Sequence, residues 1–196
     1  DQEYHGIVRC ALGWACWKTY VGRPEEDWDR IDAMTELGNG LHDAKHHEDE
    51  LSVREAELSM RRRLGADEYE LLVAQGNLAC TYRSLGRLED ALRLQRDIYS
   101  GCVRLDGEED PATLVEASNY ANGLVDLRRF EEAKSLLRKT IPIARRVLGD
   151  GHELTLRMRS MYSDAEGKRD QKQDEPGTSS YDYKCYAEAV RIQKRR

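Results

Sequence analysis

Large aromatic side chains are scarce in this chain. Phenylalanine occurs once in 196 residues, and aromatics together make up 7%. A thick globular core leans on such residues. With 39% hydrophobic and 35% charged residues, the composition suits thin layers in which each helix buries one stripe. No apolar run approaches the ~20 residues of a membrane helix, and no stretch reads as a signal peptide. The five cysteines (Cys10, Cys16, Cys80, Cys102 and Cys185) are odd in number, scattered, and include no CxxC pair. A disulfide framework or zinc knuckle is not expected, and a reducing, cytoplasmic setting is. The net charge of −6 opposes broad nucleic-acid binding, which depends on Lys and Arg against phosphates. GxxxxGK[ST], GxSxG, GxGxxG and HExxH are all missing. No catalytic residue, cofactor, nucleic acid or membrane partner is therefore expected. The chain opens on Asp1 rather than Met, as a fragment or processed form would.

What the chain does contain is a repeat. Asn77 is matched by Asn119, Ala79 by Ala121, Ala91 by Ala133, Gly107 by Gly149 and Leu114 by Leu156, each pair 42 apart (119 − 77, for example). A fixed period of this size is the mark of stacked repeats. A weaker copy precedes these two: Asn39-Gly40-Leu41 answers Asn122-Gly123-Leu124, and Arg63-Leu64-Gly65 answers Val147-Leu148-Gly149. Where the clear copies place Ala91 and Ala133, this copy has Glu50, which predicts looser packing between its helices.

Apolar spacing of three to four residues predicts helices over about 3–20, 25–44, 48–64, 67–85, 88–105, 110–127, 130–148 and 152–166. In the first, Ile7, Ala11, Trp14 (with Ala15) and Lys18 share the expected buried face, with Cys10 and Trp17 beside it. Trp28, Ile31, Met34, Gly38 and Leu41 mark the buried face of the second. Pro24 falls near the second helix's first turn, where it is tolerated. Arg61-Arg62-Arg63 reads as a solvated helix end opposing the dipole. Pro142, inside the seventh helix, predicts a bend near residues 138–142. The expected organisation is an N-terminal capping helix over 1–24 and an array over 25–166. Its units are about 25–66, 67–108, 109–150 and a partial 151–166. A polar flexible segment over 167–180 and a short C-terminal helix or tail over 181–196 follow.

WD40 blades share the length of the period but need strands. HEAT units share length and helicity. The small-residue positions decide between the helical classes: Ala79, then Tyr82, Gly86 and Ala91, have the separations of tetratricopeptide repeats. A standard unit is about 34 residues, so this one carries about one extra turn per helix. The phrases Asn77-Leu78-Ala79-Cys80-Thr81-Tyr82 and Gly86-Arg87-Leu88-Glu89-Asp90-Ala91, and the link Gly149-Asp150-Gly151-His152-Glu153-Leu154-Thr155-Leu156, resemble the long tetratricopeptide repeats of kinesin light chains and related proteins. The resemblance covers about residues 35–160. It implies an all-α, right-handed α-solenoid of antiparallel helix pairs, about three full units plus flanking helices. It also implies a non-catalytic scaffold or adaptor that binds a peptide or partner protein. The heptad coiled coil of kinesin light chains is not in this sequence.

In such a stack the first helix of each pair, here called A-type, lines the concave side, and its exposed positions form the expected partner groove. Counting from the small-residue landmarks places Asn39, His42, Asn77, Arg83, Asn119 and Asn122 there. An amide both donates to and accepts from a peptide backbone, and Arg83 suits a carboxylate. The competing reading is that these asparagines bridge neighbouring helices. A structural subunit that self-associates or docks into a larger assembly is the alternative to a peptide scaffold. His42 and His46 are four apart, but the stretch straddles a predicted turn, so His42, His46 and His47 with Glu48, Asp49 and Glu50 read as a solvated polar turn, and no metal is expected.

Overall fold

The computed structural model describes residues 2–24 and 26–167. Expectations for 168–196, most of the flexible segment and the whole tail helix, lie outside the described residues. Among the described residues there are eight α-helices and no strand. They are α1 (Gln2–Tyr20), α2 (Trp28–Asp43), α3 (His47–Arg63), α4 (Glu68–Ser84), α5 (Leu88–Asp106), α6 (Pro111–Asp126), α7 (Phe130–Leu148) and α8 (Glu153–Gly167).

Local chemistry sets the ends. Asp67 caps α4 in a reciprocal box: its side chain accepts from Glu70 N, and Glu70 Oε2 accepts from Asp67 N. Such a box satisfies two amides that the helix cannot. Asp110 caps α6 through Ala112 N at 2.7 Å, with Pro111 as the first helical residue. Asp27 caps α2 through Asp29 N, so α2 starts after Asp27 and Pro24 stands outside it rather than in its first turn. Gly65, Gly107 and Gly149 end α3, α5 and α7 with positive φ, the conformation that glycine adopts without penalty. The turn from α4 to α5 uses Gly86 in the same way, at φ 72°. At the matching place the neighbouring turns have Lys45 (φ 61°) and Arg128 (φ 57°). Helix α7 continues through Pro142 without a break.

The chain divides into two compact units, residues 1–87 and 88–196. In the first, α1 to α4 pack in chain order. A small core joins Ile31, Met34 and Met60 with Trp17, Val53 and Leu64 around them. Helix α1 meets α2 through backbone rather than bulk. A methyl group on Gly40 would lie 2.6 Å from Arg9 O, and one on Gly13 would lie 2.7 Å from Glu36 O. This close approach turns Gly6, Cys10, Gly13 and Trp17 toward α2. The stripe expected to be buried faces out instead. Ile7, Ala11, Trp14 and Lys18 are exposed, as are Val8 and Leu12. Apolar periodicity could not foresee this, because glycine carries no apolar weight yet allows the closest packing. Trp28 is also exposed, since it begins α2.

In the second unit, α5 to α8 pack in chain order and α6 also meets α8. Leu114, Ala117, Ala121, Leu137, Ala144, Leu154, Met158 and Met161 form its main core. Leu92, Leu124 and Ala133 form a second cluster. The alanines let helices approach, and the leucines and methionines fill the space between.

Candidate functional site

The second helices of the pairs, α3, α5 and α7, share one buried stripe in different chemistry. In the repeat register Glu50, Ala91 and Ala133 correspond, at spacings of 41 and 42 (91 − 50 and 133 − 91). By the same spacing Arg54 corresponds to Gln95 and Leu137, Glu57 to Ile98 and Thr140, and Arg61 to Cys102 and Ala144. All twelve are buried. Helices α5 and α7 fill the stripe with apolar and small or neutral polar groups, whereas α3 fills it with charge.

That charge is internally matched. Glu57 accepts from Thr35 Oγ1 at 2.6 Å, Arg54 Nη1 at 3.2 Å and Arg61 Nε at 3.1 Å. Arg54 also donates to Asn39 Oδ1 at 2.6 Å and to the Thr35 carbonyl at 3.3 Å. Its guanidinium lies over Gly38, where a Cβ would come within 2.6 Å of Cζ. Arg61 reaches Thr35 Oγ1 at 3.1 Å. It is therefore not part of a solvated helix end, although Arg62 and Arg63 are exposed. The stripe is buried because α3 presents it to α2, and a buried ion pair holds only when its charges are paired and hydrogen-bonded.

At the start of the stripe the Glu50 side chain is 1% exposed. His42 Nδ1 lies 3.2 and 3.1 Å from its two oxygens, and His47 Nδ1 lies 3.1 Å from Oε2. Thr81 of α4 donates to Oε1 at 2.8 Å. Arg54 Nε stands 3.8 Å from Oε1, at ion-pair rather than hydrogen-bond range. Burial pushes the Glu50 carboxyl up. Hydrogen bonds from His42, Thr81 and His47, with the charge of His42, outweigh it and hold the group below its ordinary range. The hydrogen bond to Glu50 raises the His42 imidazole above its ordinary value, against the opposing effect of burial. Where loose packing was expected around Glu50, the polar contacts are close, because the carboxylate sits among donors instead of against a facing methyl group.

The six residues expected on the partner groove fall as follows. Asn39 and His42 serve the α3 network just described. Asn77 is buried on α4, and its carbonyl lies 3.1 Å from Thr81 Oγ1. Arg83 is half-buried near the end of α4. On α6, Asn119 and Asn122 are buried, and Asn119 Nδ2 donates to Glu116 Oε1 at 3.2 Å. The asparagines counted as exposed are thus packed among helices, since the helices close over the A-type face more fully than landmark counting shows. Asn39 and Asn119 act as bridges or local ties. A residue missed by that counting is Arg157 of α8, half-exposed, whose Nε donates to Ser118 Oγ at 3.1 Å. Its register partner, Val115, is apolar, so the repeat pattern carried no sign of it.

Helices joined by short turns, with small residues at the packing positions, define a helical-repeat protein. The repeat is of the tetratricopeptide kind: residues 71–112 and 117–153 match the tetratricopeptide repeat family model. Among solved structures, the nearly identical TPR-like repeats of a Podosopora anserina protein named for kinesin light chain align with a TM-score of 0.70 and 16% identity, covering 86% of each chain. A variant form of those repeats aligns with a TM-score of 0.68 and 15% identity, over 86% of this chain and 90% of that one. BtubC (BKLC) from P. vanneervenii aligns with a TM-score of 0.60 and 15% identity, over 87% of this chain and 76% of that one. No curated protein matches the chain in sequence. At these identities the likeness establishes the fold: an all-α tetratricopeptide solenoid. No described helix is long and apolar enough to cross a membrane.

Proposed function

We propose that the chain is a non-catalytic protein-interaction scaffold, and that its A-type helices hold a peptide segment of a partner protein. The reading is supported chiefly by the polar lining that α6 and α8 carry where they meet in the second unit. Ser118, Asn119 and Asn122 on α6 and Arg157 on α8 provide amide, hydroxyl and guanidinium groups on A-type helices. Arg157, half-exposed, offers a fork for a carboxylate, held in place by its hydrogen bond to the buried Ser118 Oγ. Arg83, half-buried on α4, plays the matching part in the first unit. The test is affinity capture from the source cell with the wild-type chain and an Arg157→Glu variant. Loss of the captured partners is expected. An unchanged partner set, with helicity intact, would remove Arg157 from the site.

A second reading, self-association, is favoured by one observation. Leu12 and Trp14 on α1 are 64% and 51% exposed, beside the exposed Ile7 and Val8. Sedimentation of the chain and of a Leu12→Glu/Trp14→Glu variant separates the readings: a dimer that dissociates in the variant supports self-association, and a wild-type monomer rules it out.

A further inference from the structure

We propose that His42, His47 and Glu50 form a binding site for a divalent transition-metal ion, Zn2+ foremost. Two imidazole nitrogens and one carboxylate oxygen are the donor types that suit zinc and its first-row neighbours, whereas magnesium and calcium take oxygen ligands. The three donor atoms lie within 4.8 Å of one another. Glu50 Oε2 is 3.1 Å from each imidazole Nδ1. With bonds of about 2.0–2.1 Å, the edge of a tetrahedral zinc shell is about 3.3–3.4 Å, so the two edges that Glu50 shares with the imidazoles are already close to that shell. The imidazole rings are 5.5 Å apart and tilted by 59°. Three protein ligands leave a fourth position for water.

The site is held in shape before any ion arrives. His42 lies in the last turn of α2 and His47 opens α3, and the turn between them is closed by Ala44 N to Gly40 O, Lys45 N to His42 O and His46 N to Leu41 O, at 2.9–3.0 Å. Glu50 is fixed from the other side: Thr81 Oγ1 donates to Oε1, and Arg54 lies beyond it. The oxygen facing both imidazoles is Oε2. This is the arrangement of a metal-ligating carboxylate whose second oxygen is oriented by a supporting hydrogen bond. Access is open, since the His42 and His47 side chains are 43% and 23% exposed while Glu50 is buried. Glu48 and Asp49 add negative charge close by in sequence, alongside the positive charge of Arg54 at 3.8 Å from Glu50 Oε1. To ligate through Nδ1 each imidazole takes its neutral form with the proton on Nε2, which leaves the Nδ1 lone pair for the ion.

The experiment is zinc titration of the chelator-stripped chain by calorimetry, with cobalt as a spectroscopic substitute. The expected result is one ion per chain, with a cobalt spectrum lacking a thiolate charge-transfer band. His42→Gln and His47→Gln should each weaken binding by tenfold or more, a loss at least as large as the roughly 10–100-fold seen when only a supporting contact is removed. Circular dichroism checks that both variants remain helical. In the wild-type chain, ring-nitrogen resonances of His42 and His47 should shift on adding zinc, a readout that needs no variant. The proposal is overturned if the chain takes up no stoichiometric zinc, if both histidine variants bind as tightly as wild type, or if the spectrum shows thiolate ligation.

Discussion

Replacing Glu57 by Leu tests the account of the buried charges in α3. The Glu57 carboxylate is about 2% exposed and accepts three hydrogen bonds, from Thr35, Arg54 and Arg61. Leucine fills nearly the same volume, so the cavity contribution is small and the loss is electrostatic. Removing one member of a buried ion pair costs ~3–5 kcal/mol, because the remaining charge is left without its partner. Arg54 keeps Asn39 and the Thr35 carbonyl, and Arg61 keeps Thr35 Oγ1. These residual acceptors place the expected loss near the lower end, at about 3 kcal/mol. For a chain of 196 residues melting as one, that is a fall of roughly 6–12 °C in melting temperature. The counterpart is Arg54→Leu/Glu57→Ile/Arg61→Met, which removes three of the four charges together and leaves Glu50 to its contacts with His42, His47 and Thr81. Well-packed apolar replacements of a buried charge cluster are often neutral or stabilising by ~1–4 kcal/mol, and the register already places Ile98 and Cys102 in α5 at two of these positions. Thermal melts followed by circular dichroism measure both variants, with hydrogen exchange over residues 28–84 to localise the change. The reasoning fails if Glu57→Leu costs under about 1 kcal/mol, or if the triple variant is less stable than the single one, against the ordering that charge pairing requires.

Three further expectations concern packing and turns. Gly123→Ala should destabilise the second unit by ~1–3 kcal/mol, because the new methyl would run into Gln95 Oε1 and come within 2.9 Å of Leu92 Cδ1; chemical denaturation reads the loss, and a neutral result would show that Gln95 can swing away. Leu137→Ala should cost ~2–5 kcal/mol, since Leu137 is fully buried at the centre of the main core of that unit; a loss below about 1 kcal/mol in the same assay would contradict that placement. Arg128→Gly should leave stability unchanged or raise it by up to about 1 kcal/mol, as the φ of 57° costs a non-glycine residue about 1–2 kcal/mol and glycine's extra freedom in the unfolded chain offsets part of the gain; a clear drop in melting temperature would refute the strain argument.

The helices were legible because their signals are local and repeated. Each observed helix begins and ends within three residues of the span read from apolar spacing and turn residues, and the 42-residue offset identified the repeat class without any three-dimensional information. The turn glycines, the acidic caps and the small residues at Ala79, Ala91, Ala121 and Ala133 each express a requirement of the backbone within a few positions of themselves. That is why a single sequence shows them.

What the sequence could not show was which side chains share a space. Ile7 and Trp14 look like a core stripe, but α1 approaches α2 along its glycines, and the stripe is left outside. Glu50 looks like a fault in a packing position. In the fold it joins two histidines from opposite sides of a turn with a threonine 31 positions further along the chain, and only tertiary contact supplies that threonine. Asn77, Asn119 and Asn122 carry the right chemistry for a groove, yet their burial depends on how neighbouring helices close over them. The repeat itself was therefore determined by the sequence, through short-range hydrogen bonding and periodic burial. Which polar groups face a partner and which face one another was decided by the tertiary structure, because desolvation depends on every helix packed around a group and not on the one that carries it.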